Sequence, residues 1–160
     1  MRPYYSQPGM LFLPFVLALG ATSTAQACPG DEVHVTVVSI LATAKPNAKV
    51  DDKLNELARR IKERRPDLTG FRIDTQCCEK LAVDQSKEFK CLGNKCAAVV
   101  TVRQAADADN KVRLKVELPC IGTVCYTTCC GKFFPMMTCK KTDQDEWLII
   151  AVMVKPCKGK

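Results

Sequence analysis

Two runs of this chain have almost no polar face to offer water. Val33 to Ala42 (VHVTVVSILA) is β-branched and apolar with few breaks, and Trp147 to Val154 (WLIIAVMV) is apolar throughout. A strand with one wet face alternates apolar and polar residues, so an unalternating run reads as a strand buried on both faces. The two segments are therefore predicted to be central strands that pair near each other in the middle of a sheet.

Between them the pattern changes to that of covering elements. Lys45 to Lys49 is a polar connection containing Pro46, and Asp51 and Asp52 suit the N-cap and first turn of a helix. Leu54, Leu57, Ala58 and Ile61 follow at the spacing that lines one helix face, and Pro66 ends the pattern. From Gly70 onward only strands and turns are expected. Short strands are predicted at Phe71 to Asp74 and Lys80 to Val83, and Lys87 to Leu92 leads into the turn dipeptide Gly93-Asn94. Cys96 to Val102 is another apolar strand. Val112, Leu114, Val116 and Leu118 alternate with Lys111, Arg113, Lys115 and Glu117, a half-buried strand entered through a hairpin turn at Asp107 to Asn110. The predicted fold is α+β and mostly β: a single β-sandwich-like or curved antiparallel sheet with one amphipathic helix near 51–65, stapled by disulfides.

The stapling follows from compartment. Arg2, the 12-residue apolar run Met10 to Ala21 and the small residues of Ala25-Gln26-Ala27 form the three-part layout of a secretory signal over residues 1–27. Interrupted by Pro14, the run is too short for the roughly 20 residues of a spanning helix, and no transmembrane span is expected in the mature chain. A lipid anchor on Cys28 is disfavoured because Ala25 and Gln26 do not fit such signals. All eleven cysteines lie in the remaining residues 28–160, about 8% of them, at the edge of a secreted disulfide scaffold. A chain of that length can form a core without crosslinks, so the cysteines act as reinforcement.

Cys91-Leu92-Gly93-Asn94-Lys95-Cys96 and Cys120-Ile121-Gly122-Thr123-Val124-Cys125 share the form Cys, aliphatic, Gly, two residues, Cys. Such a turn can bring its flanking cysteines together, predicting Cys91–Cys96 and Cys120–Cys125 disulfides, with Cys129 a competitor for Cys125. In the vicinal pairs Cys77-Cys78 and Cys129-Cys130, strand geometry points the two thiols to opposite faces and hence to different partners. Eleven is odd, so at least one cysteine is free, intermolecular or modified. Cys28 and Cys157 either pair with each other or include the one left over. Five cysteines, Cys120, Cys125, Cys129, Cys130 and Cys139, fall within 20 residues. If reduced, they are a candidate soft-ligand set for zinc or Cu(I). The absence of any Cys-x-x-Cys argues for disulfides instead.

Other chemistry is sparse. His34 is the sole histidine, sits in a predicted strand, and excludes any site that needs two. Asp51-Asp52 and Asp145-Glu146 fall at element starts or turns, where capping accounts for them. No phosphate loop, zinc-protease helix or nucleophile elbow occurs. Net charge is +7, or +6 once Arg2 leaves with the leader, with the basic residues spread out and lacking interleaved aromatics. Specific nucleic-acid binding is not expected. Arg59, Arg60, Lys62, Arg64 and Arg65 form either a solvated helix face or an anion-binding ridge.

The segments VHVTVVSILAT, LTGFRI, CCGKFFP and LIIAVMVKPC together resemble a group of small exported bacterial proteins of planctomycete type. The resemblance implies an exported bacterial protein and brings no activity, cofactor or site residue with it. The expectation is a non-enzymatic structural or binding module of the periplasm, cell envelope or extracellular space, without a cofactor. Its partner would be an anionic envelope polymer or another exported protein. The alternative is a thiol-based metal-binding or redox protein centred on Cys120–Cys139.

Overall fold

The apolar run at the start of the domain forms β1 (Glu32–Thr43), and the run at its end forms β8 (Trp147–Pro156). They pair antiparallel from Val33↔Pro156 to Ala42↔Trp147. The structure, a computed structural model, describes residues 32–92 and 96–156. The leader 1–27, Cys28, Cys157 and the Gly93-Asn94 turn lie outside the described residues.

The remaining elements follow in chain order. A 3-10 turn (Asp52–Leu54) leads into α1 (Asn55–Lys62), followed by β2 (Gly70–Ala82), β3 (Ser86–Leu92) and β4 (Cys96–Gln104). Then come β5 (Lys111–Leu118), β6 (Gly122–Cys129) and β7 (Phe134–Lys141). They build two antiparallel four-stranded sheets, ordered β2-β1-β8-β7 and β3-β4-β5-β6. The chain is mostly β, as its patterning predicts, and no helix among the described residues is long and apolar enough to cross a membrane.

The inner faces of both sheets share one core. Val33, Val35 and Val37 of β1 and Ile150, Val152 and Val154 of β8 meet Val100 and Val102 of β4 and Val112, Leu114 and Val116 of β5. The outer face of the first sheet carries a second core. There Val38, Ile40 and Ala42 of β1, Phe71 of β2 and Ile149 and Ala151 of β8 are covered by Leu54, Leu57, Ala58, Ile61 and Leu68. Burial on both sides is why β1 and β8 lack alternation. β5 has only one covered face, and its buried residues alternate with exposed or half-buried ones.

The helix is shorter than the predicted 51–65. Asp51 accepts a hydrogen bond from the Lys53 amide on Oδ1 (3.0 Å) and starts the 3-10 turn, and α-helical geometry ends at Lys62. Pro66 disfavours helical backbone at Arg65, so residues 63–65 close as a turn on the Arg59 and Ile61 carbonyls. Eight residues would be a marginal helix in water; burial of Leu57, Ala58 and Ile61 holds it.

The two short strands expected around Cys77-Cys78 are one continuous strand, because β2 follows the whole of β1. One extra residue, Asp74, is absorbed at a bulge where the register passes from Ser39↔Thr75 to Ile40↔Ile73. The fully buried Ser39 hydroxyl satisfies that irregularity: it accepts from the Thr75 amide (3.0 Å) and lies 2.7 Å from Thr75 Oγ1 and 3.1 Å from Asp74 Oδ2. The hairpin at Asp107 to Asn110 forms as expected, with Asp107 Oδ1 accepting from the Asp109 and Lys111 amides. Strands β6 and β7 were not anticipated. Both are edge strands, half-exposed and rich in Thr and Cys, and β7 contains Pro135, which an edge tolerates.

Candidate functional site

Strand geometry disperses the cysteines that look clustered in the sequence. Cys120 occupies the tip of the β5–β6 turn, while Cys129 and Cys130 sit at the far end of β6. An eight-residue strand spans about 25 Å, so these two groups are a strand length apart. Among the described residues, no three His, Cys, Asp or Glu side chains converge to hold a metal ion. Cys78, Cys120, Cys125, Cys129, Cys130 and Cys139 carry free thiols, and Cys77 is not one of them.

The expected Cys120–Cys125 contact does not form. Gly122 adopts φ 85° and pairs with Leu118, which centres the turn on Cys120 instead of on the residues between the two cysteines. Cys125 then lies three residues up β6, exposed and opposite Lys115. The side chains of Cys91 and Cys96 lie outside the described ones; in the backbone register Cys96 faces Leu92.

Cys120 instead meets Cys139. Cys139 lies in β7 where its register with β8 slips between Met137 and Lys141, and its thiol reaches the Cys120 carbonyl at 3.8 Å. Burial pushes the Cys120 thiol up, but the hydrogen bond from Cys139 and the charge of Lys140 prevail and hold it below the ordinary thiol range. The same hydrogen bond pushes the Cys139 thiol up, with burial and the Cys120 charge adding to it. Because Cys120 belongs to the second sheet and Cys139 to the first, the pair faces across the open seam between edge strands β6 and β7. Further along that seam the rings of Tyr126 and Phe134 stack with centroids 4.0 Å apart.

The vicinal pairs split between faces as strand geometry requires. Cys77 packs against the inner core and Cys78 is exposed on the outer face, where its sulfur accepts from Thr36 Oγ1 at 3.5 Å. His34 is the diagonal neighbour of Cys78 on that face, yet no hydrogen bond joins them among the described residues. Cys129 is exposed and Cys130 turns toward the core, where burial, then Cys129 and Asp107, push its thiol up. Such a thiol is a poor nucleophile. Of the acidic pairs, Asp51 caps the helix start, and Glu146 takes a two-pronged pair from Arg72 (Nη2 to Oε2 2.7 Å, Nε to Oε1 3.2 Å).

The basic ridge divides in two. Arg59 pairs with Glu63 at 3.4 Å, and Lys62 lies over the Phe71 ring. Arg60, Arg64 and Arg65 face β7. Arg60 donates to the Phe133 carbonyl (2.8 Å); Arg65 donates to both Asp67 oxygens (2.8 and 2.7 Å) and to Met137 Sδ (3.0 Å), and covers Trp147 at 5.0 Å. Arg64 is exposed and has no ion-pair partner among the described residues. Between these arginines and β7 lies a groove of about 340 Å³ floored by Phe134, Pro135, Met137 and Ile149. These floor residues carry no signal of their own in the sequence beyond the apolar run after Gly131-Lys132. A larger depression of about 520 Å³ beside α1 contains Arg59 already matched by Glu63. No protein-family model, no curated protein and no solved structure matches the chain, and its chemistry is read from these residues alone.

Proposed function

We propose that this protein is a non-enzymatic structural or binding module, exported by a bacterium to its envelope or surroundings, in which disulfides clasp the sandwich. The observation that carries this reading is the Cys120–Cys139 pair. It spans the two sheets across an open seam, the Cys139 thiol reaches the Cys120 carbonyl, and Cys139 and Lys140 hold the Cys120 thiol below its ordinary range. In an oxidising compartment a low-molecular-weight disulfide RS–SR would accept attack by Cys120 and release one RSH. Cys139 would then resolve the mixed disulfide, giving Cys120–Cys139 and a second RSH. The leader predicted at residues 1–27 and the resemblance to exported planctomycete-type proteins support the reading that the chain works in such a compartment. An anionic envelope polymer or another exported protein is the partner class that the positive charge favours.

Thiol counting and peptide mapping of the secreted protein, purified without reductant, test this. The expected result is a linked Cys120–Cys139 peptide and no bound zinc or copper. Four or more free thiols together with stoichiometric zinc or copper would overturn it in favour of thiol–metal chemistry.

A further inference from the structure

We infer that the groove between the end of α1 and β7 is a binding site for a small amphiphilic carboxylate, its head held by Arg60, Arg64 and Arg65 and its tail laid over Pro135 and Met137. The inference deepens the reading of the protein as a binding module and does not depend on the state of its thiols.

Size, charge and polar satisfaction all point this way. At about 340 Å³ the groove lies at the small end of ligand sites. Allowing roughly 30 Å³ per heavy atom, the share of a water molecule in the liquid, it holds about eleven, as an eight- to ten-carbon carboxylate requires. Three guanidiniums and no carboxylate line it. The neighbouring Asp67 neutralises one of them, which leaves a positive excess larger than the roughly half charge of opposite sign at the helix C-terminus.

The donors are also under-used. Arg65 spends one N–H on Met137 Sδ at 3.0 Å, and a thioether is a weak acceptor that a carboxylate oxygen would displace. Arg60 commits one N–H to a backbone carbonyl and has others to give. Arg64 has no ion-pair partner among the described residues. Planar guanidinium forks match a planar carboxylate, which they bind in two-pronged fashion. Below them the lining is apolar: Pro135 and Met137 are half-buried, Met137 touched by Arg65, and Phe134 borders the groove with its ring stacked on Tyr126. Cations above an apolar floor select a ligand with both features, while a bare anion or an uncharged chain would engage half of the site.

Trp147 is the chain's only tryptophan and lies under Arg65, so its fluorescence reports on the site. The experiment titrates the full secreted protein with octanoate, octan-1-ol and acetate, following Trp147 emission and heat by calorimetry. Saturable octanoate binding with Kd of about 1 mM or tighter is expected, with octan-1-ol and acetate each at least about tenfold weaker. Arg64→Glu, at an exposed position with no ion-pair partner, should keep the far-UV circular dichroism of the parent and weaken octanoate about tenfold or more. Equal binding of octan-1-ol, unchanged octanoate binding in Arg64→Glu, or no saturable response to octanoate would each overturn the inference. So would co-sedimentation with phosphatidylglycerol vesicles in the absence of octanoate binding, which would make the patch a lipid-surface contact. None of these outcomes alters the thiol count, so the groove and the clasp stand or fall separately.

Discussion

Replacing Cys120 by Ser in the oxidised protein should lower its melting temperature by about 13 °C. Strands β6 and β7 belong to different sheets, and their seam is held by side chains such as the stacked Tyr126 and Phe134. A Cys120–Cys139 bond joins positions 19 apart in the chain and so closes a loop of about 20 residues; the chain-entropy model gives about 3.3 kcal/mol at 25 °C for such a loop. Unfolding roughly 120 ordered residues at about 2.1 cal/mol/K each carries an entropy near 0.25 kcal/mol/K, which converts the lost energy into that shift. Strain in the closed form would reduce it, but the pairwise logic would remain. Cys120→Ser, Cys139→Ser and the double variant should be equally destabilised, since any one of them removes the same bond, and a double-mutant cycle should show nearly complete coupling. Differential scanning calorimetry of the four proteins in parallel, without reductant, measures this. Single-variant shifts below about 4 °C, or a double variant that sums the two singles, would refute the clasp.

Three further outcomes follow from other contacts. Tyr126 is largely buried, burial pushes its phenol well above the usual range, and its hydroxyl has no hydrogen-bond partner among the described residues. Tyr126→Phe should therefore stabilise by about 1 kcal/mol in urea titration, and a loss would show a hidden partner. A methyl on Gly70 would overlap that of Ala48, which cannot swing away, so Gly70→Ala should cost more than about 2 kcal/mol by the same titration. The hydrogen bonds from Arg72, opposed by burial and aided by its charge, hold the Glu146 carboxyl below its ordinary value. Its stabilisation is then present above the unfolded value near pH 4.3 and lost as pH falls through the lower folded value. Glu146→Gln should cost about 1–2 kcal/mol at pH 7 and flatten the acid limb of a stability–pH curve, whereas an unchanged limb would count against the pair.

What could be read from the sequence was set by how many faces of a strand are buried. β1 and β8 are covered on the inside by the second sheet and on the outside by α1, so their composition alone gives their central position and mutual pairing. β5, covered on one face, announces itself by alternation. α1 shows its apolar stripe, although its length is decided by Pro66 and by docking. β6 and β7 each pair on one side only, and although their residues alternate in burial, Thr stands on both faces of β6 and Met136 and Met137 on opposite faces of β7, so GTVCYTTC and FPMMTCKK show no clean apolar period.

The same physics governs the candidate sites. Five cysteines within twenty residues suggest a cluster only while the intervening strand is invisible; once β6 extends, Cys120 and Cys129 stand at opposite ends of it. The pair that does form, Cys120 with Cys139, joins the first and last of the five and needs the fold of both sheets to be seen. The arginines were legible as a basic helix end, yet their meaning depends on Met137, which lies 72 positions beyond Arg65 in the chain and reaches it through sheet topology. Edge strand β7 supplies Cys139 of the thiol pair and Pro135 and Met137 of the groove floor, and this follows from its exposure. A central strand has every backbone group and both faces occupied, whereas β7 keeps one side uncommitted, with Pro135 to discourage a further strand from adding there. The part of the molecule that sequence pattern describes least is therefore the part with chemistry left to offer a partner.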